Sequence, residues 1–285
     1  MIIDDLYAKV KQTSPLCTGL DLRESYIPAD IAAKDIGIDE KLFLTAQMII
    51  DATAEFSACY KVQIACYEAL GLTGLKAYSR ILKYLRDNGH IVIADIKRGD
   101  IASTAEEYAK GHFSGDFEAD IVTLNPYMGI DAISPYFPYF KDKNKGAFVL
   151  VKTSNKSSED FQEIDDSKGE KIYIDVLEAL KNWGVDFLGN SGYSAMGAVV
   201  GVNFLHQIPK IRQVADGRVF MLVPGFGAQG AKAEDIAALI GQEQGGVVNV
   251  SRGIIAAHVG KDGDAKTIIH DKAKSMAEEL LSCLK

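Results

Sequence analysis

The chain has 285 residues, a hydrophobic content of 47% and a formal net charge of −8 at pH 7. This length and apolar content suit one large α/β domain, because parallel barrels commonly reach about 250 residues or more. The acidic balance argues against a nucleic-acid polymer or a membrane surface as partner, so an anionic ligand would need a local basic site. The first residues lack a signal-peptide pattern and no apolar run approaches the roughly 20 residues of a membrane span, so we expect a cytoplasmic protein.

The cysteines and histidines give no sign of a metal site. The four cysteines, at positions 17, 59, 66 and 283, show no Cys-x-x-Cys spacing. In a chain with a large core they are expected as buried thiols in a reducing compartment. The five histidines are isolated, without the paired spacing that fixes a transition metal. We therefore expect no zinc site.

Short apolar runs alternate with helical segments along the chain, which predicts a parallel sheet built from βα units. Eight runs favour a closed (β/α)8 TIM barrel over an open doubly wound sheet. The runs are residues 16–20, 60–64, 91–95, 121–124, 147–151, 198–201, 219–223 and 247–250. Residues 72–88, 172–183 and 231–240 carry apolar side chains at spacings of three and four, as helices on the outside of a barrel do.

Two connections are longer than a βα unit requires. Residues 23–40 lie between the first strand and its helix, and residues 155–170 follow the fifth strand. A long loop is usually a functional lid or an excursion from the fold, and the second loop lies on the face where barrel active sites form. We expect a mobile lid at 155–170, with a plain insertion as the alternative. Because no linker or repeat interrupts the chain, we expect a single domain over residues 1–285.

A dense group of charged residues follows the third strand. Asp95 and Lys97 alternate along that strand and therefore point to the same side, and Asp100 follows in the turn that opens the next helix. A loop ion pair with a capping box at Thr104 would explain one polar residue but not the whole cluster. Arg98 is out of phase with Lys97, so we expect it to point away from the barrel mouth.

Glycine-containing loops after the seventh and eighth strands predict a phosphate site. Residues 224–230 read Pro-Gly-Phe-Gly-Ala-Gln-Gly, and Arg252 follows the eighth strand. Glycines let backbone amides approach an anion, and an arginine fork suits phosphate oxygens. The glycines also match G-x-G-x-x-G, but a dinucleotide fold has that motif in its first βαβ unit, with an acidic residue on the next strand. Here the motif lies near the C-terminus, and residues 247–250 contain no acid.

The pattern Asp-x-Lys-x-x-Asp-Ile-x-x-Thr at residues 95–104 resembles the catalytic signature of the orotidine 5'-phosphate decarboxylase family. Its Lys-Arg-Gly-Asp-Ile-x-Ser-Thr form is similar to the branch of that family with Asn-Pro after strand four and Lys-Thr-Ser-Asn after strand five. Both motifs are present, at residues 125–126 and 152–155. The similarity therefore runs from about residue 17 to residue 255.

The resemblance implies a cofactor-free (β/α)8 homodimer that converts orotidine 5'-monophosphate to uridine 5'-monophosphate and CO₂. Lys97 would stabilise the carbanion at C6 and then protonate it. Asp95 would lie against the substrate carboxylate, and Asp100 completes the catalytic set. No metal takes part in the reaction that the resemblance implies.

The resemblance also assigns contacts to the sugar and the base. Asp21 would bind the ribose hydroxyls, and Lys61 would form hydrogen bonds near the ribose and the reacting centre. Pro224 and Ser154 match pyrimidine contacts. Asn125, in the motif after strand four, is a further substrate-binding position.

Phosphate contacts and a shared active site follow from the same resemblance. Gln229 and Arg252 match contacts to the phosphate group. Asp100, Ile101 and Thr104 match residues that complete the active site of the neighbouring subunit.

Two other functions stay open. A metal-dependent sugar-phosphate decarboxylase or aldolase of the same barrel type would share the phosphate-binding loops and the Asp-x-Lys-x-x-Asp pattern. Such enzymes hold Mg²⁺ with an acidic residue on strand two, where this chain has Lys61, which would repel a cation. A catalytically silent sensor of nucleotide phosphates would keep the phosphate loops but would not need the cluster around Lys97.

Overall fold

The computed structural model describes residues 1–202, 205–226, 232–243 and 245–284. Within these residues eight parallel strands form one closed barrel, in which each strand pairs with the next and β8 pairs with β1. The (β/α)8 barrel predicted from the sequence is therefore confirmed. The strands are β1 (Leu16–Gly19), β2 (Cys59–Gln63), β3 (Val92–Arg98), β4 (Ile121–Leu124), β5 (Gly146–Lys152), β6 (Met196–Val200), β7 (Met221–Pro224) and β8 (Gly246–Val250).

Helices cover the outside of the barrel. They are α1 (Ile2–Gln12), α2 (Ala29–Ala32), α3 (Ile38–Thr53), α4 (Ala65–Glu68), α5 (Gly71–Asp87), α6 (Ala102–Phe113), α7 (Phe137–Asp142), α8 (Ile172–Trp183), α9 (Ile208–Ala215), α10 (Ala233–Ile240), α11 (Arg252–Ile255) and α12 (Ala265–Cys283). Short 3-10 helices lie at Glu24–Tyr26, Gly115–Phe117, Gly129–Ala132, Ser134–Tyr136, Lys156–Asp160, Val185–Phe187 and Leu205–Gln207. No helix in the described part of the chain is both long enough and apolar enough to cross a membrane.

The strands are buried on both sides, because helices cover the outside and side chains fill the inside. Every residue of β4 and β6 is buried. Gly197 in β6 leaves room for a large neighbour, since a Cβ there would lie 2.5 Å from the ring of Phe148. This packing gives the rigid scaffold on which the residues at the strand ends are mounted.

The pairing of β3 with β4 is irregular beside the predicted catalytic residues. Ala94 pairs with Val122, but the next pair is Arg98 with Leu124, so β3 contains more residues than β4 over this stretch. Lys97 lies within the irregular stretch and has a φ of 46°, in the left-handed region. A non-glycine residue there costs on the order of 1–3 kcal/mol and persists only where its surroundings enforce it. Bulges of this kind are frequent beside active sites, where they redirect a side chain.

His112 on α6 is a buried histidine outside the barrel. Its ring stacks on Phe117 with 6.4 Å between ring centroids. Its Nδ1 atom has no hydrogen-bond partner among the described residues. Burial, with a smaller contribution from the charge on Arg98, lowers the pKa of His112 to about 4. The folded protein therefore holds this ring in its neutral form at pH 7.

We predict that acid destabilises the protein through His112. In the unfolded chain the ring takes up a proton near a pKa of about 6.5, whereas in the folded protein it does so only near 4. The contribution of the neutral ring is complete above pH 6.5 and is lost as the pH falls towards 4. Between pH 7 and pH 5 the free energy of unfolding should fall by about 2 kcal/mol from this group. Urea unfolding at both pH values measures the loss.

His112→Phe is the matched variant, because it keeps a buried aromatic ring and removes the titrating group. Its free energy of unfolding should fall less than that of the unsubstituted protein between pH 7 and pH 5. An equal fall in both proteins would mean that other groups cause the acid sensitivity.

Candidate active site

The carboxyl ends of the strands surround a cavity of about 650 Å³. This is the face on which active sites form in barrels of this type. The predicted site residues that line the cavity are Asp21, Lys61, Asp95, Lys97, Ser154, Pro224 and Arg252. The chain thus brings together residues from β2, β3 and β7 and from the segments that follow β1, β5 and β8.

Asp95 in β3 is the centre of the charged cluster, and its side chain is buried. Its Oδ2 atom accepts hydrogen bonds from Lys61 Nζ at 2.7 Å and from Gln63 Nε2 at 3.0 Å. Its Oδ1 atom accepts from Lys97 Nζ at 2.6 Å and from Thr123 Oγ1 at 2.9 Å. Four donors therefore surround one carboxylate, which fixes its orientation at the wall of the cavity.

The opposite charges in the cluster stabilise one another's ionised forms. Burial alone would raise the pKa of Asp95, but the positive charges of Lys61 and Lys97 outweigh it and hold the pKa well below its usual value. Burial alone would lower the pKa of Lys61, but the charges of Asp95 and Asp21 override it and raise the pKa. The Lys61 ammonium lies 3.8 Å from Asp21 Oδ1. Asp95 and Lys61 are therefore both ionised at neutral pH.

The expected proximity of Asp95 and Lys97 is confirmed by these contacts, although Lys97 lies in the irregular stretch of β3. Asp95 and Lys97 point to the same side of the strand and form an ion pair. Arg98 points outward, where its guanidinium lies 3.4 Å from Glu68 and over the ring of Tyr108. Its exclusion from the predicted catalytic set therefore agrees with its position.

Two members of the cluster were missed in the sequence. Gln63 lies two residues after Lys61 in β2, and both side chains reach Asp95. Their spacing of two residues in a strand was the signal, because residues i and i+2 share a face. Thr123 in β4 carried no signal, because its contact depends on how β3 and β4 are paired.

Four other predicted residues, Asp100, Ile101, Thr104 and Asn125, are not among the residues that line this cavity. Asp100, Ile101 and Thr104 lie at the start of α6, where Ile101 and Thr104 are exposed and Asp100 is half-buried. The capping box at Thr104 is wrong, because α6 begins at Ala102 and Thr104 lies inside the helix. Asn125 is exposed, and its side-chain oxygen accepts a hydrogen bond from the amide of Tyr127. The predicted phosphate contact Gln229 lies outside the described residues.

The opposite wall of the cavity is formed by the ends of β7 and β8. Pro224 ends β7, and Gly225 follows with a φ of 96°, a conformation that favours glycine. Arg252 is the first residue of α11 and lines the cavity. Within the described residues its guanidinium forms no ion pair, so this cation at the edge of the cavity is not committed to a protein carboxylate.

The segment after β5 is anchored to the barrel. The Nζ atom of Lys152 is fully buried and lies 2.9 Å from Glu163 Oε1 and 2.9 Å from Ser158 Oγ. The side chain of Gln162 accepts from the Thr153 amide at 2.9 Å and donates to the Thr153 hydroxyl at 2.8 Å. Between residues 158 and 163 these contacts favour an anchored insertion over the mobile lid that the sequence suggested.

The family model described as the orotidine 5'-phosphate decarboxylase / HUMPS family matches residues 14–268 of the chain. The chain belongs to this family. A Clostridium tetani protein named orotidine 5'-phosphate decarboxylase is 50% identical over 266 residues, which are 93% of this chain and 92% of that protein. A Clostridium kluyveri protein of the same name is 50% identical over 258 residues, which are 90% and 88% of the two chains.

Solved structures agree with this assignment to the orotidine 5'-phosphate decarboxylase family. The structure of Leishmania donovani OMP decarboxylase matches with a TM-score of 0.79 and 29% identity, covering 99% of this chain and 98% of that chain. A Methanocaldococcus jannaschii structure, described as orotidine 5'-monophosphate decarboxylase in complex with an inhibitor, has a TM-score of 0.63 and 22% identity. The latter likeness concerns the fold alone.

We predict that Glu163→Leu destabilises the protein by about 3 kcal/mol, because it removes the carboxylate that lies 2.9 Å from the buried Lys152 ammonium. The double variant Lys152→Met/Glu163→Leu should recover most of this loss, since both charges are then absent. Glu170→Gln, which breaks the half-exposed pair with Lys210, is the control and should cost less than about 1 kcal/mol. Urea unfolding compares the variants, and a double variant no more stable than Glu163→Leu would contradict the anchor.

Proposed function

We propose that the chain decarboxylates orotidine 5'-monophosphate to uridine 5'-monophosphate and CO₂, without a cofactor. Curated relatives that are 50% identical over at least 90% of the chain carry the name of this activity. The observation that carries the proposal is the Asp95–Lys97 pair on one wall of a cavity that has Arg252 among its lining residues. A charged reaction centre and a phosphate-binding group suit a nucleotide that reacts at its base.

Lys97 is the group that we assign to the reacting carbon. Loss of CO₂ from C6 leaves an electron pair in an sp² orbital that the ring π-system cannot accept. A nearby cation must therefore stabilise a localised carbanion, and a proton must then reach C6. The side chain of Lys97 is 46% exposed and lines the cavity, whereas that of Lys61 is 6% exposed. Lys97 is thus the better placed of the two to reach a ligand.

Asp95 would act by repelling the carboxylate of the bound substrate. Two like charges about 4 Å apart at an effective dielectric constant near 20 repel by roughly 4 kcal/mol. Enzymes commonly lower barriers by about 8–23 kcal/mol, so repulsion alone is insufficient. Most of the reduction in the barrier must come from charges that the folded protein already holds in place and from the binding energy of the phosphate group.

The other contacts follow from the lining of the cavity. Arg252 suits the phosphate, and Asp21 suits the ribose hydroxyls because its buried Oδ1 atom has no hydrogen-bond partner among the described residues. Pro224 and Ser154 are the positions that we assign to the pyrimidine. A volume of about 650 Å³ is within the usual range for small-molecule sites.

The metal-dependent alternative is disfavoured by Lys61. Its ammonium lies 2.7 Å from Asp95 and 3.8 Å from Asp21, so a cation already stands between the two carboxylates. A divalent ion bound by the same two acids would have to displace it. A sensor of nucleotide phosphates would not need this cluster.

We also propose a homodimer with shared active sites. The start of α6 and the segment after β4 expose large apolar side chains, among them Ile101, Tyr127 and Met128. Exposed apolar surface of this kind is typical of protein interfaces, and a two-fold dimer would bury the same surface on both subunits. Asp100, Ile101 and Thr104 would then complete the partner's cavity. The four free thiols are consistent with the cytoplasmic location that we propose.

Lys97→Ala should abolish decarboxylation of orotidine 5'-monophosphate while uridine 5'-monophosphate still binds, because the phosphate-binding residues remain. The absorbance change of the substrate measures turnover, and calorimetry measures product binding. Lys83→Ala, at an exposed position on α5, is the control and should keep full activity. Turnover should not change with EDTA; a loss that Mg²⁺ restores would favour the metal-dependent alternative. Near-normal turnover of Lys97→Ala would refute the assigned role.

Mixing Lys97→Ala protein with Asp100→Ala protein should restore activity if the site is shared. Each variant should be nearly inactive alone. In a mixed dimer one site combines both defects and the other has neither. With random exchange half of the dimers are mixed, so activity should recover to about a quarter of the unsubstituted value. Demonstrated subunit exchange without recovery would mean that Asp100 acts within its own subunit.

A further inference from the structure

Thr123 joins the two strands at the point where their pairing is irregular. Its side-chain oxygen accepts hydrogen bonds from the amide of Ile96 at 3.0 Å and from the amide of Lys97 at 2.9 Å. The same hydroxyl donates to Asp95 Oδ1 at 2.9 Å. One side chain on β4 therefore contacts three consecutive residues of β3.

The hydroxyl of Thr123 has no spare hydrogen-bonding capacity. A threonine hydroxyl offers one hydrogen and two acceptor lone pairs, and the three contacts use all of them. Thr123 is also buried, so water cannot readily replace a contact that is lost. These bonds hold the stretch in which Lys97 has its left-handed backbone.

We propose that Thr123 is a positioning residue for the reaction, which fixes the β3 bulge and thereby the geometry of Asp95 and Lys97. Its bonds to the two amides hold the backbone from which the Lys97 side chain leaves. Its bond to Asp95 holds the carboxylate that receives the Lys97 ammonium at 2.6 Å. Loss of the hydroxyl would release the backbone and the carboxylate together.

The effect on turnover rests on the function proposed above, whereas the effect on the bulge does not. A displacement of about 1 Å in a reacting group can lower the rate about 100-fold, although the residue responsible does not touch the substrate. The hydroxyl should therefore matter for kcat more than for binding of the product.

The experiment compares Thr123→Val, which has a similar shape but no hydroxyl, with Thr123→Ser, which keeps the hydroxyl. Thr53→Val is the matched control, because Thr53 is also buried and its hydroxyl bonds Ile49 and Tyr60 away from the cavity. We expect Thr123→Val to lower kcat about 100-fold with the Kd for uridine 5'-monophosphate within threefold. Thr123→Ser and Thr53→Val should stay within about threefold of the original kcat.

Crystal structures of the unliganded variants give a readout that is independent of activity. In Thr123→Val the φ of Lys97 should leave the left-handed region, and the contact between Lys97 and Asp95 should lengthen. In Thr123→Ser both features should persist. If Thr123→Val cannot be purified, Thr123→Cys takes its place, because a thiol is a much weaker hydrogen-bonding group.

Several outcomes would overturn the proposal. If Thr123→Val loses stability but keeps its kcat, Thr123 is merely structural. An unchanged φ of Lys97 and an unchanged contact to Asp95 in Thr123→Val would refute the positioning role directly. An unsubstituted protein that does not decarboxylate the substrate would refute the proposed function, while the crystal structures would still decide whether Thr123 fixes the bulge.

Discussion

The charged site depends on a single buried carboxylate. Asp95 can remain ionised inside the barrel because two ammonium groups, an amide and a hydroxyl donate to it. A buried ion pair of this kind is weak evidence for stability, since desolvation of the charges offsets their attraction. Its value is geometric, because the four donors fix the Asp95 carboxylate before any ligand arrives. A carboxylate that is oriented during folding need not reorganise during a reaction.

The features that follow from local periodicity could be predicted from the sequence. Eight apolar runs indicated the barrel, and alternation along β3 indicated that Asp95 and Lys97 share a side. Thr123 could not be found in this way, because its contact depends on the shift in pairing between β3 and β4. The contact between Lys152 and Glu163 could not be predicted from the sequence for a similar reason. It depends on the path of a long segment that returns to the barrel, which no local spacing records.

The two walls of the cavity differ in how strongly they are constrained. On the β3 side, the cluster residues hold one another through hydrogen bonds within the barrel. On the β7 and β8 side, Arg252 stands at the start of a short helix and has no ion-pair partner within the described part of the chain. The cluster around Asp95 is held in place, whereas the guanidinium of Arg252 has no ion-pair partner among the described residues. This arrangement suits a ligand that reacts near the cluster and carries an anionic group, some distance from the reacting atom, that Arg252 can bind.

The presence of two lysines at one carboxylate has a physical reason. If Lys97 alone faced Asp95, it would be the only cation available to compensate a buried negative charge, and movement towards a ligand would leave that charge unpaired. Lys61 is buried and lies between Asp95 and Asp21, so it continues to compensate Asp95 when Lys97 moves. Lys97 is nearly half exposed and can exchange its contact with Asp95 for a developing negative charge nearby. The fixed lysine therefore stabilises the site, and it leaves the second lysine available for chemistry.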